Sequence, residues 1–263
     1  MTQDQARART GWAPSPLFLA LVAVAAISGW ALWNLVGVDR SAPDGGIVIG
    51  LITFVFIAAS WVITLCLHEF GHAIVAYRSG DLSVAHRGYL TLDPLRYTHV
   101  VFSIVLPLLF VLLGGIGLPG GAVFVDRRAL RTRFAHTAVS AAGPLMNLAV
   151  AIVLAIALPR GDSFTVFWAA IAFLLFLQVT AAVLNLLPVP GLDGYGIIEP
   201  YLPRAWAQRA ARIAPYAMIG LFALLWIPPV NAAFFAGIDG ILGLLGVPPG
   251  LWGAGYGLFQ FWR

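Results

Sequence analysis

Long apolar runs separated by short polar gaps dominate this chain. They extend from about Ser15 to Val38, Ile47 to Tyr77, Val100 to Leu118, Phe134 to Leu158, Phe164 to Leu187, Ile213 to Ile227 and Val230 to Val247. About 20 apolar residues in a helix span the ~30 Å hydrocarbon core of a bilayer, so most of these runs are predicted transmembrane helices. The first follows a short polar stretch with Arg7 and Arg9; it is longer than a signal-peptide core and reads as a retained span. The run from Val100 is broken by Pro107 and leads through Pro119-Gly120-Gly121 into Ala122-Val123-Phe124-Val125, a stretch of extended character. Between the second and third runs, Asp81 to His99 is polar and alternates as one or two short strands would. The expected fold is an all-α polytopic membrane protein of about six transmembrane helices, with a re-entrant or short β segment between the second run and the next core helix. It forms a single membrane-embedded domain over residues 1–263, with a core over about 47–200 and C-terminal helices over about 213–247. Trp252, Phe261 and Trp262 are expected as interfacial anchors.

Composition agrees: 60% of residues are apolar, 10% are charged, and the mean hydropathy is +0.91, too hydrophobic for a soluble globule. All fifteen basic residues are arginine and fall in the gaps between runs, so the net charge of +4 marks topology and implies no nucleic-acid partner. The lone cysteine, Cys66, excludes an intramolecular disulfide and a Cys-rich metal site. Any metal here must use histidine and carboxylate.

Three ionisable side chains interrupt the second run, in Leu67-His68-Glu69-Phe70-Gly71-His72-Ala73. On a helix His68 and His72 share a face and can hold one metal ion. Glu69 can reach a water there as general base, which is the mechanical content of H-E-x-x-H. That motif is common by chance, so its position matters more. His72 and His68 lie roughly 10 and 15 Å from the Arg78 end of the run, inside a ~30 Å core, where ionisable groups are costly and functional by default. A catalytic zinc usually takes three protein ligands. Asp193 stands out as the third, in the helix-breaking stretch Pro188-Val189-Pro190-Gly191-Leu192-Asp193-Gly194, because irregular backbone at membrane depth must line an enclosed or watered cavity. Glu199 could serve only by displacing it. Cys66 points off the ligand face and reads as packing, His86, His99 and His136 as loop or interfacial residues, and Asp239 as a helix-end residue.

The set His68-Glu69-x-x-His72, Ala142-Gly143-Pro144-x-x-Asn147 and Asn185-x-x-Pro188 with Leu192-Asp193-Gly194 resembles the site-2 protease family of intramembrane zinc metalloproteases, in the family's order and over roughly 47–200. Thr91-Leu92-Asp93-Pro94-Leu95 looks like the family's T-L-N-P-L element with Asp for Asn, and no PDZ or CBS domain is expected. The resemblance implies one zinc ion on His68, His72 and Asp193, with Glu69 activating the water. It also implies that Asn185 binds substrate backbone or the developing oxyanion, with Asn147 a secondary residue of the same site. Helix–helix hydrogen bonding is the plainer reading of both asparagines.

Topology adds a constraint of its own. His72 and Asp193 both lie toward the C-terminal ends of their runs, so those runs must point the same way and one of the two intervening runs must make no net crossing. The run over 100–118 is the better candidate. Arginine bias agrees: if every run crosses, six arginines lie inside and eight outside, but with 100–118 re-entrant twelve lie inside against Arg40 and Arg160 outside, leaving Arg263 aside.

The function expected is a zinc-dependent intramembrane endopeptidase that cleaves transmembrane segments of other membrane proteins, as in regulated intramembrane proteolysis. Its partners would be the lipid bilayer and a substrate helix unwound at the site. Its place would be a prokaryotic cell membrane, with the N-terminus and the active-site side cytoplasmic. The alternative is a zinc-binding membrane protein without hydrolysis, a transporter or a degenerate helix-binding protease. A transporter would show repeated halves and acidic residues spread along a path, whereas here the polar groups converge on one point.

Overall fold

The computed structural model describes residues 12–35, 43–97, 123–159 and 165–262. Helix α1, Pro16–Asn34, starts where Ser15 Oγ accepts the Phe18 N–H (3.1 Å) and Pro16 supplies a preset first turn. Helix α2, Pro43–Ser79, has 37 residues, about 55 Å at 1.5 Å per residue, and so projects beyond a bilayer core. It ends at Gly80 (φ +122°), where a side chain would meet the Ala129 carbonyl. A short helix α3, Ser83–His86, and a 3-10 turn, Tyr89–Thr91, cap that end. Tyr97 is buried in this cap and donates its hydroxyl to the Cys66 carbonyl (3.2 Å), while the Cys66 side chain is buried in the same apolar cluster. Burial pushes the Tyr97 phenol above its ordinary range, so it keeps the proton that it donates.

Helix α4, Arg133–Ala157, begins on Thr132, whose Oγ1 accepts the Ala135 N–H (3.1 Å). Helix α5, Val166–Leu186, leads through 187–192 into α6, Asp193–Ile198. Then follow α7, Arg204–Leu225, α8, Pro228–Leu244, and α9, Leu251–Phe259. Helices α1, α2, α4 and α5 are each long and apolar enough to cross a membrane, which makes the chain an integral membrane protein.

Three expectations are corrected or left outside the described residues. About six spans were expected; among the described residues four helices are long and apolar enough to cross, or five if α7 and α8, which meet at 89°, make one span. Pro228 and Pro229 open α8 and cannot continue α7, and α7 begins already at Arg204, so the two apolar runs are arms of a broken element. No strand occurs among the described residues. Residues 123–126 have no ladder partner among the described residues, and two of their amides go to side chains: Val123 N–H to Glu69 Oε2 (3.0 Å) and Asp126 N–H to Asp81 Oδ2 (2.7 Å). The segment 81–97 folds into α3 and the 3-10 turn, where alternation suggested strands. The run over 100–118 expected to be re-entrant lies outside the described residues. The contact between Asp81 and Asp126 nevertheless holds the end of α2 beside the segment that enters α4, so the chain leaves α2 and starts α4 at the same end of the bundle.

The core is built on α5, of whose 21 residues 17 are buried. Leu32 of α1, Ile57 of α2, Ala151 of α4, Ile238 of α8 and Phe259 of α9 converge on it. Among lipid tails no hydrophobic force separates helix from lipid, so close fit and polar contacts hold such a bundle. Small residues supply the fit: at Gly255 a Cβ would run into the Ala169 carbonyl of α5, and at Gly71 of α2 it would meet Met146 and the Ala142 carbonyl of α4. Trp252 stacks flat on Phe176 (4.2 Å, 7°) and donates its Nε1–H to Asp239 (3.0 Å). It therefore packs α9 onto the bundle.

Candidate metal centre

The C-terminal third of α2 carries His68 and His72 on one face, and both rings are buried against α4. Each ring is oriented from behind. His72 Nδ1 lies 2.6 Å from the Val139 carbonyl, which can only accept, so Nδ1 carries the proton. His68 Nδ1 lies 3.3 Å from Asn147 Oδ1 and donates to it in the same way. Both Nε2 lone pairs are thereby left facing inward, 3.1 Å apart. Asp193, the first residue of α6, brings Oδ2 to 3.4 Å from each of them.

With both imidazoles neutral and Nδ1-protonated, the three atoms are all electron-pair donors, a set that a cation satisfies. Their separations also fit zinc. Tetrahedral donors at about 2.0–2.1 Å from a zinc ion stand about 3.3 Å from one another, and the triangle here measures 3.1, 3.4 and 3.4 Å. The opposite wall is equally specific. A Cβ at Gly143 of α4 would lie 2.6 Å from His68 Nε2 and closer still to His72 Nε2, so only glycine leaves room for the donors to converge. Pro144, next along, removes the amide that would pair with the Ser140 carbonyl and loosens the helix ladder beside the site.

Glu69 follows His68 on α2 and is 1% exposed, with Oε2 accepting the Val123 N–H. Asn185 is buried in the last turn of α5, and its amide has no hydrogen-bond partner among the described residues. Asn147, expected as a secondary residue for substrate, is placed behind His68. Glu199, the competing carboxylate, is engaged by Arg127 and lies outside the ligand group. Sequence reasoning missed the Val139 carbonyl and the steric role of Gly143. Their signal was present as a stripe: Val139, Gly143 and Asn147 recur at every fourth residue and so face α2 together.

Comparison with known proteins bears on this centre. A protein of Mycobacterium tuberculosis (strain H37Rv) named "Putative zinc metalloprotease Rip2" is 46% identical over 252 residues, 95% of this chain and 94% of that protein. Its namesake in Mycolicibacterium smegmatis is 44% identical over the same length and share. "Putative zinc metalloprotease YwhC" of Bacillus subtilis (strain 168) is 30% identical over 210 residues, 72% of this chain and 90% of that protein. No family model and no solved structure matches the chain. The relatives' names imply zinc as the metal, and His68, His72 and Asp193 form a group that could hold one such ion. At such identity and coverage, the chain belongs to the site-2 protease family of zinc metalloproteases.

Proposed function

We propose that the chain is an endopeptidase that hydrolyses a peptide bond in or beside a transmembrane segment of another membrane protein. The observation that carries this reading is the burial of His68, Glu69 and His72, with Asp193 half-buried beside them, in a bundle whose helices are long and apolar enough to cross a bilayer. Zinc bound by His68, His72 and Asp193 supplies Lewis acidity for the scissile carbonyl and lowers the pKa of a water there toward ~7. The protein's own groups do the rest.

Glu69 accepts a proton from the attacking water and returns it to the nitrogen of the leaving amine, ending ionised as it began. Asn185 donates its side-chain N–H to the carbonyl oxygen as charge develops there, a contact whose loss costs about 10²–10³ in kcat. Asn147 and the Val139 carbonyl hold the imidazoles in the tautomer that leaves Nε2 free to bind metal. A helical substrate must unwind before its carbonyl is accessible, and the unladdered backbone of 123–125 beside Glu69 offers an extended partner to the unwound stretch. The bacterial relatives support a prokaryotic cell membrane, and the arginine bias supports an orientation with the metal end of the bundle on the cytoplasmic side.

The test uses detergent-purified protein, zinc analysis and a panel of single-span substrates. Glu69→Gln should keep its zinc and lose about 10²–10⁴ in cleavage rate. A wild-type protein that holds zinc yet shows no Glu69-dependent cleavage across the panel would replace this reading with zinc binding without hydrolysis.

A further inference from the structure

Gln178 is a polar residue in the most enclosed helix of the bundle. It is 1% exposed, midway along α5, at a depth where an amide without a partner is costly. Its Nε2 donates to Thr64 Oγ1 of α2 (2.9 Å), and the Thr64 hydroxyl donates in turn to the Trp61 carbonyl (2.9 Å). This relay links the two helices that must cooperate at the metal centre. Thr64 stands four residues before His68, on the same face of α2 and about 6 Å along its axis. Gln178 stands seven residues before Asn185, two turns back on the same face of α5. The chain that leaves α5 then delivers Asp193.

We infer that Gln178 is a positioning residue for the metal centre: its hydrogen bond to Thr64 sets the rotation and height of α5 against α2, so that Asp193 arrives level with His68 and His72. The apolar contacts of Leu174, Leu177, Ala181 and Ala182 carry little angular preference of their own, whereas a hydrogen bond weakens steeply as its angle falls, so the Gln178–Thr64 bond adds a directional constraint to the close fit of the bundle. A slip of one residue moves a helix by about 1.5 Å and turns it by about 100°. Metal–ligand distances tolerate only about 0.2 Å.

Gln178→Met keeps length and bulk without the amide, and Thr64→Val keeps shape without the hydroxyl. Each should weaken zinc binding about tenfold in chelator competition, the lower end of what outer-shell partners cost. Each should also lower kcat with KM unchanged. The double variant should lose no more than either single one, since both remove the same bond, and Thr64→Ser should behave as wild type. The turnover arm rests on the peptidase reading; the zinc arm does not. A protein that binds zinc tightly, weakens as stated in the variants and cleaves nothing would end the peptidase reading and leave this inference standing. Wild-type zinc affinity and kcat in both variants, with or without a lower Tm, would overturn it, since a bond that only joins two helices moves Tm alone. If Gln178→Met fails to fold, Thr64→Val against Thr64→Ser decides the matter in the same way.

Discussion

Gly143→Ala adds one methyl group at the point where the metal donors meet. The new carbon would lie 2.6 Å from His68 Nε2, against 3.4 Å for an ordinary contact, so something must move by 0.8 Å (3.4 minus 2.6). Helix α4 has little room to retreat. It is tied to α2 through the Val139 carbonyl and Asn147, and Met146 and the Ala142 carbonyl already lie against Gly71. The displacement therefore falls on an imidazole, at about four times the ~0.2 Å tolerance of a zinc–ligand distance. If about 10–16 kcal/mol of zinc binding is spread over four ligands, the loss of one is worth about 3 kcal/mol, roughly a hundredfold in affinity. Zinc content after dialysis and competition with a chromophoric chelator measure this directly, with circular dichroism to show that the helices persist. Gly220→Ala, at a position with nothing within 4 Å of the added carbon, is the matched control and should change neither. A folded Gly143→Ala protein that binds zinc within about threefold of wild type would refute the close-approach argument.

Two further outcomes follow from the same geometry. Asn147→Leu removes the acceptor behind His68 and should weaken zinc binding about 10–100-fold while leaving Tm nearly unchanged; unaltered affinity would mean that Asn147 does not orient the ring. A reporter fused beside Arg128 should register as cytoplasmic, and an extracytoplasmic signal there would reverse the orientation read from the arginines.

The metal centre was legible in the sequence to the extent that its chemistry resides in side chains. His68 and His72 declare themselves by four-residue spacing at membrane depth, and Asp193 by an acidic residue among helix breakers. The Val139 carbonyl could not be read so, since every residue has one, and Gly143 acts through the absence of a side chain. The four long spans were visible as apolar runs. The 89° break between α7 and α8 was visible only as Pro228-Pro229, because composition gives a break but no angle. The packing of α9 on α5 was hidden for a more general reason. Lipid and protein interior are equally apolar, so Trp252 and Phe259 look the same in sequence whether they face tails or Phe176 and Phe173. Residues 123–126 were extended enough to suggest a strand, but a strand needs a neighbour; none occurs among the described residues, and the Val123 and Asp126 amides go to carboxylates.

The enclosure of α5 also has a consequence for how the protein is made. Segments enter the bilayer in order of synthesis, so α1, α2, α4 and α5 are inserted before α8 and α9 exist. The whole ligand set, from His68 to Asp193, is then complete while one flank of α5 still faces tails. Seating α8 and α9 is a late, lipid-displacing step that requires no metal ligand to move. The donors His68, His72 and Asp193 thus all precede α8 and α9 in the chain, so the helices that close the bundle around α5 contribute none of them.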